Sequence, residues 1–108
     1  MQGYLIKVDG TITDAPEKLD LQGMYETIGC TMVERVSLKQ AELWCDEEGI
    51  INNKPINVVA TRLYQAEHGP RVGIVGDAYL RVKSGYTFMP AMQLGGAIVK
   101  LAKAKATA

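Results

Sequence analysis

The sequence predicts an α+β domain: a mainly antiparallel sheet of four or five strands with two helices on one face, in the order ββαββαβ, plus a C-terminal helical tail. Three observations lead there. Asp9-Gly10 separates two short strand-like runs, two segments carry an apolar stripe at helical spacing, and the composition is that of an ordinary globular chain. The 108 residues allow one domain, and 47% apolar with 22% charged residues excludes the low-hydrophobicity signature of disorder.

Tyr4 to Val8 is a β-branched-rich run closed by Asp9-Gly10, and Thr11-Ile12-Thr13 resumes the pattern, predicting strands over 3–8 and 11–15 joined by a tight turn. Pro16 ends the second strand, because it cannot donate to a ladder. Leu21, Met24, Tyr25 and Ile28 recur at i, i+3, i+4 and i+7, placing a helix over 20–28, opened by Asp20 and stopped at Gly29. Cys30 to Leu38 and Ala41 to Cys45 read as two strands of a hairpin turned at residues 37–40. Asn52-Asn53-Lys54-Pro55 is loop chemistry, and Asn57 caps a helix running to Glu67. There Val59, Ala60, Leu63 and Tyr64 form the expected buried stripe, with Thr61, Arg62 and Gln65 toward the other side. Val72 to Val82 reads as a last strand interrupted at Gly76-Asp77. Residues 1–83 thus make one domain and 84–108 an extension, in which Leu94, Ile98 and Leu101 fit a helix over 92–104 with a frayed end.

Twelve basic residues balance twelve acidic ones, which removes any global attraction to nucleic acid. No apolar run approaches the roughly 20 residues of a membrane helix, and no leader pattern opens the chain, so a cytoplasmic protein is expected. The zero total conceals an asymmetry. Residues 1–50 hold ten acids and four bases, and residues 51–108 hold two acids and eight bases, a swing from −6 to +6. Either the halves interleave and pair their charges across one sheet, or Arg62, Arg71, Arg81 and Lys83 gather into an anion site, or an acidic surface of one copy meets a basic surface of another.

Cys30 and Cys45 with the single His68 are too few for a structural zinc, and the cysteines read as buried small apolar residues. His68, before Gly69-Pro70, reads as a helix end. Gly73-x-x-Gly76 lacks the Lys-Ser/Thr and the following helix of a phosphate loop. Asp46, Glu47, Glu48 and Asp77 are hard-cation ligand types, although contiguous acids are usually a solvated turn. Trp44 suits either a core or a stacking role.

In this setting the chain resembles a small family of unknown function found mostly in bacteriophages, plasmids and actinobacterial genomes. The resemblance lies in the Ile6-Lys7-Val8-Asp9-Gly10 hairpin, the Leu21–Gly29 helix and the Trp44-Cys45-Asp46-Glu47-Glu48-Gly49 turn. Pro55, Asn57, Ala60, Thr61 and Leu63 at the helix start and the Ile74-Val75-Gly76-Asp77 segment complete it, over roughly residues 4–83. It implies a mobile-element accessory protein with a compact α+β domain, and no activity.

The expected function is binding without chemistry: sequestration of a small phosphate-bearing nucleotide signal in an anti-defence role, through Arg62, Arg71, Arg81, Lys83 and Trp44. The alternatives are masking of a host protein by direct contact, a subunit recognised by its sheet edge, and a metal-dependent phosphohydrolase using the four acids named above. No cofactor is expected. A homo-oligomer is, with Tyr86, Phe88, Met89 and Met92 at its interface, because a chain of this length buries only about two-thirds of its surface.

Overall fold

Along residues 41–46 Ala41, Leu43 and Cys45 alternate with Glu42, Trp44 and Asp46, and along residues 78–82 Ala78, Leu80 and Val82 alternate with Tyr79 and Arg81. Nearly all of these residues are buried. Successive side chains of a strand point to opposite faces, so two adjacent strands buried on both faces need cover on both sides. The computed structural model, which describes residues 2–70, 73–84, 86–91 and 98–103, meets that need with one helix on each face.

The elements are β1 (Gln2–Ile6), β2 (Ile12–Ala15), α1 (Leu21–Ile28), β3 (Val33–Ser37), β4 (Ala41–Asp46), α2 (Val58–His68), β5 (Ala78–Val82), β6 (Tyr86–Ala91) and β7 (Ile98–Lys103). The first five strands form one antiparallel sheet in the order β2-β1-β5-β4-β3, with β5 inserted between the two hairpins. The expected α+β class and ββαββαβ order hold over this part of the chain. Helix α2 lays Val59, Ala60 and Leu63 on Ile6, Leu43, Leu80 and Val82, whereas Met24 and Ile28 of α1 pack on Trp44 and Tyr79 from the other side.

The placement of both helices on one face is therefore corrected. Period-two alternation gives β4 and β5 two apolar faces, and one helix can cover only one of them. A second correction concerns the tail. Residues 98–103 of the expected 92–104 helix are strand β7, paired antiparallel to β6 with Phe88 opposite Leu101 and Ala91 opposite Ile98. The helical stripe competed with a non-local partner and with β-branched Ile98 and Val99, and the ladder prevailed. β7 lies against α2. The remainder of the expected helix, 92–97 and 104, lies outside the described residues.

Smaller differences follow from turns. The first hairpin closes over three residues: Gly10 N–H donates to Lys7 at 3.0 Å, Lys7 N–H to Thr11 at 2.9 Å, and Gly10 takes φ 90°. This is the longer hairpin class in which a turn is followed by a left-handed glycine, instead of a two-residue turn. The last strand begins only at Ala78, because Gly76 at φ 79° turns the chain and leaves Val75 with a single bridge to Ile56. Thr61, expected to face away from the core, is buried, its hydroxyl bonded to both the amide (2.8 Å) and the carbonyl (3.2 Å) of Ile74.

These segments converge on Asn57, whose side chain is fully buried. Its Oδ1 accepts from Ala60 N–H at 3.1 Å, capping α2, while Nδ2 donates to the carbonyls of Ile6 at 2.8 Å and Gly76 at 2.9 Å. Its own N–H donates to Ile74 at 2.8 Å. One residue thereby joins the end of β1, the turn before β5 and the start of α2. Asn57→Ala removes a cap worth ~1 kcal/mol and strands two buried carbonyls, so denaturant unfolding should show a loss of about 3 kcal/mol. A loss below about 1 kcal/mol would contradict this role.

Candidate functional site

On the α1 side of the sheet, β4 and β5 set Glu42, Trp44, Tyr79 and Arg81 in register, with Glu42 opposite Arg81 and Trp44 opposite Tyr79. The two rings lie 5.6 Å apart at 41°, and the Arg81 guanidinium sits over Trp44, 5.2 Å from its centroid. Arg81 Nη2 also donates to Glu42 Oε1 at 2.8 Å, and Arg35 Nη1 reaches Glu42 Oε2 at 2.6 Å. The bond from Arg81, with help from Arg35, overcomes partial burial and holds the Glu42 carboxyl below its ordinary range. The Tyr79 hydroxyl donates toward the carbonyls of Pro16 and Glu17, where the chain leaves β2 across Gly3. A Cβ on Gly3 would collide with the carbonyls of Ala15 and Pro16 and with the Tyr79 hydroxyl. Burial raises the Tyr79 hydroxyl's pKa.

Of the expected anion-site residues, Arg81 and Trp44 are thus brought together, but Arg81 is committed to Glu42. Arg62 is exposed on α2, on the opposite side of the sheet. Lys83 is exposed and donates to the Lys39 carbonyl at 3.1 Å, and Arg71 lies outside the described residues. Arg62 and Arg81 therefore stand on opposite sides of the sheet. Of the expected interface residues, Tyr86, Phe88 and Met89 occupy β6, and Met92 lies outside the described residues.

The acidic residues are likewise engaged. Asp46 is buried and faces Lys54 Nζ at 2.7 Å, its Oδ1 accepts from Glu48 N–H at 2.8 Å, and Lys54 also donates to the Gly29 carbonyl at 2.8 Å. Burial pushes the Asp46 pKa up, but the Lys54 ammonium and the Glu48 amide outweigh it and leave the carboxyl below its ordinary range. Asp77 accepts from Val8 N–H at 3.0 Å. Among the described residues no three His, Cys, Asp or Glu side chains gather as a metal cluster. Cys45 is buried and its thiol is pushed up to about 12, chiefly by burial; Cys30 is also raised by burial. High pKa values make both poor thiolates. His68 Nε2 lies 3.1 Å from the Ser37 carbonyl, and its ring stacks on Tyr64 at 4.8 Å.

The connection from β4 to α2 presents a different surface, one that sequence reasoning missed. Ile50, Ile51, Ile56 and Val58 are 63%, 76%, 54% and 46% exposed. Ile56 bridges Val75, and Ile50 and Val75 border one pocket of about 190 Å³, walled also by Glu34 and Val36 of β3, Glu47, and Tyr64 of α2. That volume is below the roughly 300–1,000 Å³ of small-molecule sites and on the scale of one amino-acid side chain. The available signal was the apolar pair Ile50-Ile51 between Gly49 and Asn52-Asn53, where a turn ordinarily carries polar residues.

Residues 1–87 match a family described as a domain of unknown function, DUF3846, and the chain belongs to that family. No curated protein and no solved structure matches it. Among the described residues, no helix is long and apolar enough to cross a membrane.

The Glu42 geometry carries a pH signature. A carboxyl whose pKa is lowered by folding stabilises the fold above its unfolded value, here near 4.5, and that contribution is lost as pH falls through the folded value. Glu42→Gln should therefore cost about 1 kcal/mol in urea unfolding at pH 7 and less at pH 3, because protonation of wild-type Glu42 progressively removes the ion pair as the pH falls. An equal cost at both pH values would exclude the ion pair as the source.

Proposed function

We propose that this chain is a non-catalytic binding protein that acts by direct contact with another protein. The observation that carries the reading is the set of four exposed aliphatic side chains at the β4–α2 connection, Ile50, Ile51 and Ile56 on it and Val58 at the start of α2, with the acidic Glu47 and Glu48 preceding them in the chain. Exposed apolar groups gathered within one connection and rimmed by polar residues mark interaction sites more often than isolated exposed side chains do. Exposed Met32 adjoins the same turn, since its carbonyl accepts from Glu47 N–H at 3.0 Å.

On this reading the protein masks a host protein in the host cytoplasm, as an accessory of the phage-like element that the resemblance of its hairpin and turn motifs implies. Sequestration of a nucleotide would need several free cations at one place. Arg81 is held by Glu42 and Arg62 stands across the sheet, which weighs toward a protein partner. A phosphohydrolase would need Asp46, which Lys54 holds.

The test compares the wild-type chain with Ile50→Asp/Ile51→Asp in co-purification from host-cell extract, with calorimetry against linear and cyclic nucleotides alongside. Expected is a stoichiometric protein retained by the wild type and lost by the double variant, whose unfolding midpoint stays close to wild type because both side chains are exposed. Equal retention by the variant removes this surface from consideration. Micromolar nucleotide binding would overturn the reading in favour of sequestration.

A further inference from the structure

The five-stranded sheet has β3 at one edge. Leu38 N–H donates to Ala41 across the hairpin at 2.9 Å and Met32 accepts from Glu47 at 3.0 Å, so residues 32, 34, 36 and 38 direct their main-chain groups toward β4. By alternation, the N–H and C=O of Val33 and Arg35 point away from the sheet. An edge of this kind is a template for another strand unless charge or a bulge defends it. Here the two charged side chains lie over the faces of the sheet: Arg35 is bonded to Glu42 on the α1 side, and Glu34 sits on the α2 side.

The pocket of about 190 Å³ lies directly beside this edge. Glu34 and Val36 are the α2-facing side chains of β3, and Ile50, Tyr64, Glu47 and the 73–75 segment are among the residues that line the other walls. A strand added to β3 would send alternate side chains to the α2 side, one of them into this pocket. Its lining combines apolar Val36, Ile50 and Val75 with the carboxylates of Glu34, Glu47 and the Lys54-paired Asp46, which suits an aliphatic stem carrying a positive head.

We propose that the edge of β3 binds an extended segment of a partner protein by strand addition, with a lysine or arginine of that segment seated between Glu34 and Glu47. The proposal rests on the protein-binding reading above and specifies the kind of segment recognised. Main-chain pairing at Val33 and Arg35 provides the attachment, and the acidic, side-chain-sized pocket provides the selection.

The probe is a fluorescein-labelled peptide, Thr-Val-Thr-Lys-Thr-Val-Thr, titrated into the full chain by fluorescence polarisation, beside the same peptide with Glu in place of Lys. The Lys peptide should bind at least tenfold more tightly than the Glu peptide, and Glu34→Lys, an exposed change that leaves the fold intact, should reverse that order. Hydrogen exchange should show the Val33 and Arg35 amides gaining protection when the Lys peptide is added. No binding of the Lys peptide up to millimolar concentration, an unchanged preference in Glu34→Lys, or binding without protection of those amides each overturns the proposal. Protection of the same amides that rises with protein concentration in the absence of peptide also overturns it, by assigning the edge to a second copy. If the peptide fails while partner retention still depends on Ile50 and Ile51, the strand-addition proposal falls and the protein-binding reading stands.

Discussion

The arrangement depends on a buried amide. Asn57 has no exposed surface, yet both Nδ2 hydrogens and its Oδ1 are engaged by backbone from three different parts of the chain. A polar side chain in that position is tolerated only when it is satisfied, and once satisfied it specifies which segments meet. The end of β1, the 74–76 turn and the first turn of α2 are tied within one hydrogen-bond radius. The connection that bears Ile50, Ile51 and Ile56 therefore leaves β4 and returns to a fixed point. Thr61 repeats the device one turn later by holding both main-chain groups of Ile74, and Gly73 packs against it so closely that a side chain there would press on the threonine.

The insertion of β5 between two local hairpins is the second organising fact. A central strand must be buried on both faces, and β5 is: Ala78, Leu80 and Val82 look toward α2, and Tyr79 looks toward α1. Tyr79 then reaches beyond the core, its hydroxyl donating to the carbonyls that follow β2, which fixes where the chain enters α1. With β5 and β4 central, β3 is left at an edge, and its α2-facing side chains line a pocket because α2 and the 73–75 segment stand opposite them.

Part of the charge asymmetry between the halves of the chain is taken up in two ion pairs. Glu42 and Asp46 come from the acidic half; Arg81 and Lys54 come from the basic half; the fold joins Glu42 to Arg81 across adjacent strands and Asp46 to Lys54 across a loop. These pairs are partly or fully withdrawn from solvent, where Coulomb attraction is less screened and leaving one partner alone is costly. Arginines committed in this way are poor receptors for a free anion, whereas Glu34 and Glu47 stay exposed beside the pocket.

The sequence by itself determined the elements whose signals are local. Asp20 and Gly29 bound α1, Asn57 caps α2, Gly69 ends it, and Asp9-Gly10 turns the first hairpin, because a cap or a left-handed glycine acts on its own few residues. It also contained the reading of Cys45 as a buried apolar residue, whereas for the charge asymmetry it left cross-sheet pairing, an anion site and self-association all open. What only the tertiary structure decided was everything requiring a distant partner: β5 between β1 and β4, the helices on opposite faces, residues 98–103 as strand, and Arg81 committed to Glu42 instead of gathered with Arg62. The candidate surface belongs to that second group. Ile50 and Val36 are far apart in sequence and meet only because the sheet order places β3 at the edge beneath α2, and a pattern of period two or 3.6 carries no information about which strand lies beside which.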